Sequence, residues 1–413
     1  MSKIIKKLHP KRMNLYQTIY DRAKEIENDT IRILMDLVRT PSFSSKEKEA
    51  VQVVRREMEK VGFEEIRIDG LGSIIGRIGN GPSTIAFDGH VDTVYAGDRA
   101  QWSFDPFDPK VESGKVWGRG TVDQKGGLAA MLSAARIIKE LNLNDTLTVY
   151  FTGTVMEEDC DGLCWQHLIK EEKIRPELVI ITEPTNLNIY RGHRGRMEMR
   201  VEMKGRSCHS SAPERGDNAI YKIARIALEI EKLNERLWSD PFLGKGSITV
   251  TEAGSKSPSI CAVPDGASIR VDRRLTYGES KESAVAEVYD AAKRAGYDDV
   301  KVIVLTFEDA AYTGKVYSTE KYYPTWALDE NSPFLQCAVE VYAGVFGKDP
   351  LVDMWTFSSN AVAIAGMHGI PCILLGPGNE LYAHAPNEAC QIEQLSGATA
   401  YYAALVAKLS GKI

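Results

Sequence analysis

The chain has 413 residues, 26% charged and 43% hydrophobic, an ordinary globular composition long enough for two domains. Its 57 acidic residues outnumber 51 basic ones, and the net charge of −6 excludes the basic balance of a general nucleic-acid binder. No apolar run reaches the roughly 18 residues a membrane span needs.

The basic start, MSKIIKKLHPKRMNLYQ, leads into no apolar run of signal-peptide length and reads as a solvated tail. Seven cysteines are scattered without an export signal, so reduced thiols and a cytoplasmic location are expected. Cys160 and Cys164 are close neighbours, but no second pair of similar spacing joins them to make a thiolate metal site. Helical spacing of Ile31, Leu34, Met35 and Val38 predicts one helix over residues 16–38, ended by Pro41. A second amphipathic helix runs from Ser45 to near Gly62. Strands are predicted over 65–68, 73–78 and 84–87, a helix over 126–141, and strands over 147–152 and 178–182. Strands alternating with helices indicate an α/β layer structure.

The order then changes. A strand at 197–203, a helix at 218–237, strands at 247–251 and 268–275, a helix at 280–296 and a strand at 300–307 follow the ferredoxin-like β-α-β-β-α-β order. This predicts an inserted domain over 193–312, with 1–192 and 313–413 completing one domain around it. The second part holds a helix at 333–346, a buried strand at 372–375 and a final amphipathic helix at 392–409.

Candidate chemistry sits just past the predicted strands, where open α/β sheets place their sites. His90 and Asp92 in Asp88-Gly89-His90-Val91-Asp92 point the same way on an extended segment. His90 suits zinc, with Asp92 on its other ring nitrogen; alone, the motif fits a structural histidine equally well. Asp123 lies in the glycine-rich turn Gly118-Arg119-Gly120-Thr121-Val122-Asp123, whose spacing does not match a phosphate loop. Its carboxylate reads better as a metal bridge. Glu157 and Glu158 follow an apolar strand; two dications would compensate their repulsion, and an exposed acidic turn is the alternative. Glu183 ends another apolar strand, and His384 follows Gly376-Pro377-Gly378. Imidazole and carboxylate without thiolate argue for zinc, with manganese or cobalt as alternatives. His193, at a domain junction, reads as a hydrogen-bonding or hinge residue. His9, His167 and His368 read as structural or solvent-facing. Trp102, Phe104 and Phe107 read as packing.

The ordered set DGHVDTV, GRGTVDQKGG, EE, TEPT, CHSSAPERGDNA and AHAPNE, spread over nearly the whole chain, resembles the M20 metallopeptidases. These include aminoacylases, acetylornithine deacetylase, succinyl-diaminopimelate desuccinylase and glutamate carboxypeptidase. KYYPTW and WTFSSNAV are most similar to the branch linked to selenium metabolism. The resemblance implies a zinc-peptidase-like catalytic domain, its mixed sheet flanked by helices, interrupted by a ferredoxin-like dimerisation (lid) domain. It implies two divalent ions held by His90, Asp123, Glu158, Glu183 and His384, with Asp123 shared. Asp92 would orient His90, and Glu157 would be the general base. It further implies a homodimer in which His209 reaches the partner's site, Arg274 on a substrate carboxylate, and a cis peptide after Asp123. The expected reaction is hydrolysis of an N-acyl amino acid or small dipeptide. An N-carbamoyl or ureido substrate is the alternative, and a metal-bound, catalytically silent scaffold is a third class. Two departures bear on the substrate: Cys261 stands where the family often has asparagine, and Ser358-Ser359-Asn360-Ala361 replaces a Thr-Asp-Ala element.

Overall fold

The computed structural model describes residues 10–413, with side chains from residue 15 onward. Most of the basic start, His9 included, lies outside the described residues. Two helices, Pro10–Glu25 and Glu27–Val38, stand where one was predicted. Ile26 (φ −96°, ψ 10°) separates them. The Glu-Asn-Asp run after it competes for backbone hydrogen bonds and favours a new helix start, where Glu27 and Asp29 meet the positive end of the dipole. The next helix, Lys48–Val61, stops at Gly62 in the left-handed conformation (φ 78°).

A nine-stranded mixed sheet forms the centre. Its order is 65–68, 74–78, 147–154, 83–90, 178–181, 372–374, 189–193 and 326–327, with 352–355 also paired to 189–193. Ser83–His90 runs parallel to both Leu147–Thr154 and Leu178–Ile181, and Cys372–Leu374 runs parallel to Leu178–Ile181. The carboxyl ends of these four strands therefore share one edge. Both faces are covered: Phe87, Leu178 and Ile180 join the core on one side, and Ala86, Val179 and Ile181 join Trp165 and Ile364 on the other. The last helix, Ile392–Leu409, was predicted to be amphipathic, but it is buried on nearly every face. Its Gly397, Ala398, Ala400, Ala403 and Ala404 are small enough for neighbouring helices to pack closely all round, and it meets Pro10–Glu25, Lys125–Glu140 and Pro333–Phe346.

The second sheet has the order 247–256, 266–275, 195–204 and 300–304, all antiparallel, with Tyr322–Tyr323 added beside 195–204. Helices Ala219–Arg236 and Lys281–Arg294 complete the β-α-β-β-α-β order. This sheet has its own core, which includes Met197, Met199, Val201, Ile226, Ile230, Val271 and Val288. The fold class is thus the expected one, a mixed α/β body interrupted by a ferredoxin-like α+β unit. Among the described residues no helix is long and apolar enough to cross a membrane.

Candidate metal centre

Each expected ligand hangs from the shared sheet edge or a turn pressed against it. His90 is the last residue of its strand, Glu157 and Glu158 follow Leu147–Thr154, and Glu183 follows Leu178–Ile181. Asp123 precedes helix Lys125–Glu140. Gly127 lets that helix touch the strand end, since a Cβ there would lie 2.3 Å from Thr182 O. The Thr182 hydroxyl donates to Gln124 Oε1 at 2.7 Å, fixing the same approach. The Asp123–Gln124 peptide is cis, as the resemblance implied.

The side chains converge. His90 Nε2 lies 3.1 Å from Asp123 Oδ1, 3.9 Å from Glu157 Oε2 and 4.0 Å from Glu183 Oε1. His384 Nε2 lies 3.2 Å from Asp123 Oδ2 and 2.9 Å from Glu158 Oε2. Two compact donor groups result, His90–Asp123–Glu158 and His90–Glu157–Glu183. Burial pushes the carboxyls of Glu157 and Glu183 well above their ordinary range, and Glu158 up to about 7. Burial also opposes the charge on Asp123, but hydrogen bonds from His384 and His90 outweigh it and hold that carboxyl below its usual value. Hydrogen bonds to Asp123 and then to Glu158 raise His384 to about 10. His90 is likewise raised, its bonds to Asp123 and Asp92 prevailing over burial.

Four carboxylates face two imidazoles, too few positive charges for balance even with both rings protonated. Glu157 Oε1, Glu158 Oε1 and Glu183 Oε2 are buried with no hydrogen-bond partner. Buried charges require a partner or a metal. These residues fit divalent ions, and their oxygen and nitrogen donors suit hard to borderline metals.

A supporting layer fixes the ligands. His90 Nδ1 is 2.9 Å from the backbone carbonyl of Asp92 and 3.5 Å from its carboxylate. Asp92 thus braces the ring chiefly through its main chain. Its carboxylate accepts instead from the Glu157 and Glu158 N–H groups, at 3.3 and 3.1 Å, and from Ser44 Oγ at 2.7 Å. Glu47, read from sequence only as part of a helix start, is fully buried and accepts from Met156 N at 3.0 Å. Burial, reinforced by Asp92, pushes its carboxyl up to about 8.

Glu388 does the same for Asp123. It accepts from Arg119 Nη1 at 2.7 Å and from the N–H groups of Gly120, Val122 and Asp123. Arg119 and Glu388 are both almost wholly buried. Glu388→Ala would strand the guanidinium and three N–H groups, so a loss of about 3–5 kcal/mol is expected in urea unfolding. A variant as stable as the parent would contradict this anchoring role.

A cleft opens over Asp123, Glu157, Glu158, Glu183 and His384, and Arg274 lines it. His209 does not: it lies in the second sheet's loop region, with Nδ1 2.7 Å from Ser211 Oγ and a bridge to Ala262. Asn360 points into the core, donating to Asp88 Oδ2 at 2.8 Å, whereas Ser358 faces the cleft. Cys261 is exposed, and all seven cysteines are free. His193 is buried against Ser359 Oγ at 2.9 Å, and His167 is buried between Asp69 and Lys315. Trp102 packs against Phe104 and under Arg119. Asp161, Arg196, Trp355 and Phe357 also line the cleft. The sequence motifs leave out Asp161, in the turn before helix Leu163–Lys170, and Arg196, at the start of strand Gly195–Lys204.

The sequence model of the Peptidase family M20/M25/M40 matches residues 86–408. The chain belongs to this family. It is a hydrolase of the family's peptidase and amidohydrolase class. It is 48% identical to the uncharacterized protein YgeY of Escherichia coli (strain K12) over 392 residues, 94% of this chain and 96% of the relative. Aminopeptidase PepT of Bacillus cereus superposes with a TM-score of 0.70 at 23% identity, covering 93% of this chain and 98% of that one. Bacillus subtilis YXEP, a dinuclear metal-binding peptidase, gives 0.70 at 16% identity, over 94% and 100%. These two structural likenesses concern the fold.

Proposed function

We propose that the protein hydrolyses the amide bond of an N-acyl amino acid or small dipeptide, using two divalent ions, zinc first, held by His90, Asp123, Glu158, Glu183 and His384. The observation that carries this reading is Glu157: a buried carboxyl in the cleft, beside His90 and Glu183, with Oε1 bound to nothing. Bound ions would supply charge to acidify a water and polarise a carbonyl. Glu157 takes the attacking water's proton and returns it to the departing amine nitrogen, the two halves of general base and general acid catalysis. Asp92 keeps Glu157 and His90 aimed by holding the Glu157 N–H and the ring nitrogen. Arg274 pairs with a substrate carboxylate, as a planar guanidinium does well.

His209 completes the oxyanion contacts of a partner subunit in this reading, and the unit over 193–312 is the dimerisation domain. Strand Ser247–Lys256 has one unpaired edge among the described residues, and Tyr221 and Leu228 are exposed on the neighbouring helix. Light scattering is expected to give twice the 45.8 kDa chain mass; a monomer would remove His209 from the mechanism. The cytoplasm is the proposed compartment. The reaction is tested by screening metal-loaded protein against N-acyl amino acids, dipeptides and N-carbamoyl compounds. Turnover of the first two classes is expected; turnover confined to the third would replace the amide reading with a ureido one.

A further inference from the structure

One part of the cleft carries chemistry that the metal ligands do not use, and its meaning rests on the amide-hydrolase reading above. Asp161 lines the cleft but belongs to neither donor group. It is 5% exposed, and its Oδ2 is buried with no hydrogen-bond partner. Its nearest cation is Arg196, Nη1 to Oδ1 at 3.9 Å, beyond hydrogen-bond reach. Arg196 lines the cleft too. Its Nη2 donates to Glu198 Oε1 at 3.2 Å, and its guanidinium lies 4.9 Å above the Tyr323 ring. Its Nε is buried without an acceptor.

Two opposite charges therefore form a loose ion pair, beyond hydrogen-bond length, and each keeps a polar atom with no hydrogen-bond partner. Buried polar groups in folded proteins are nearly always partnered. A ligand bearing the reciprocal pair would satisfy both, and an α-amino acid head places an ammonium next to a carboxylate. Trp355 and Phe357, edge to face at 5.5 Å, give the same cleft an apolar wall for the methylenes behind such a head. We propose that Asp161 and Arg196 form a subsite for a free α-amino acid head group, ammonium on Asp161 and carboxylate on Arg196. The preferred amide substrate then carries this zwitterion in addition to the carboxylate at Arg274.

Calorimetry on the purified full chain tests the subsite without catalysis, using L-glutamate, glutarate (no ammonium) and 4-aminobutyrate (no α-carboxylate). Glutamate is expected to bind at least about tenfold more tightly than either, the worth of one charge-assisted hydrogen bond. Asp161→Asn should erase the preference over glutarate, and Arg196→Met the preference over 4-aminobutyrate. Equal binding of the three ligands by the parent protein overturns the proposal, whatever the variants do. A preference that survives both substitutions also overturns it. With the metal-loaded enzyme, kcat/KM for γ-glutamyl-glycine should exceed that for glutaryl-glycine, and Asp161→Asn should lower only the first. Should no amide be cleaved while glutamate binding still depends on Asp161, the proposed amide substrate falls and the subsite stands.

Discussion

Glu157→Gln is expected to retain the metal content of the parent while kcat falls about 10²–10⁴-fold, the usual contribution of a placed proton-transfer group. The amide keeps the size of the carboxyl and removes its proton affinity. The backbone N–H of Glu157 still reaches Asp92, so the turn that presents Glu158 is undisturbed. Burial already favours a neutral group at this position, so the substitution should not destabilise the fold. Steady-state turnover beside elemental analysis of the same sample makes the check. Parental kcat would remove Glu157 from the reaction, and loss of metal would make it a ligand.

Asp123→Asn should act on the ions themselves. Asp123 is the one carboxylate that contacts both histidines, Oδ1 towards His90 and Oδ2 towards His384. Glu158 pairs with His384 at 2.9 Å but has no oxygen within 4 Å of His90, so Asp123 is the tighter link between the two rings. Affinity should drop by more than the roughly 10–100-fold typical of outer partners, since this residue faces the donors directly. Elemental analysis after dialysis is expected to give well under the parental metal content, and activity should be lost with it. Full metal content in the Asp123→Asn variant would refute the shared-ligand role.

Much of this site was legible because strand ends and motif chemistry coincide. His90, Asp123, Glu183 and His384 stand beside strand ends or glycine-rich turns as residue types that hold metals, the family resemblance adds Glu158 to the set, and the five side chains gather within a few ångströms. Less legible were groups whose role depends on what surrounds them. Strand Ser83–His90 runs three residues beyond its predicted end because Thr152, Thr154 and Asn360 donate to the buried Asp88, a partnership invisible along the chain. Glu47 belongs to no motif and Glu388 enters only as the last residue of AHAPNE, with no role attached; only folding shows them accepting backbone N–H groups behind the site. Asp161 and Arg196 belong to no periodic pattern. The final helix misled for a related reason, as its alanines permit contact on every side.

The main sheet joins two stretches of chain that lie on either side of the inserted unit. Cys372–Leu374 slots beside Leu178–Ile181, and Glu388 then grips the turn carrying Asp123. During synthesis, the first half emerges with four of its carboxylates already present but with that turn unclamped and one imidazole missing. The ribosome must make almost the whole polypeptide before the centre can close, so a nascent chain or a late frameshift product should be inert however well its earlier strands pair.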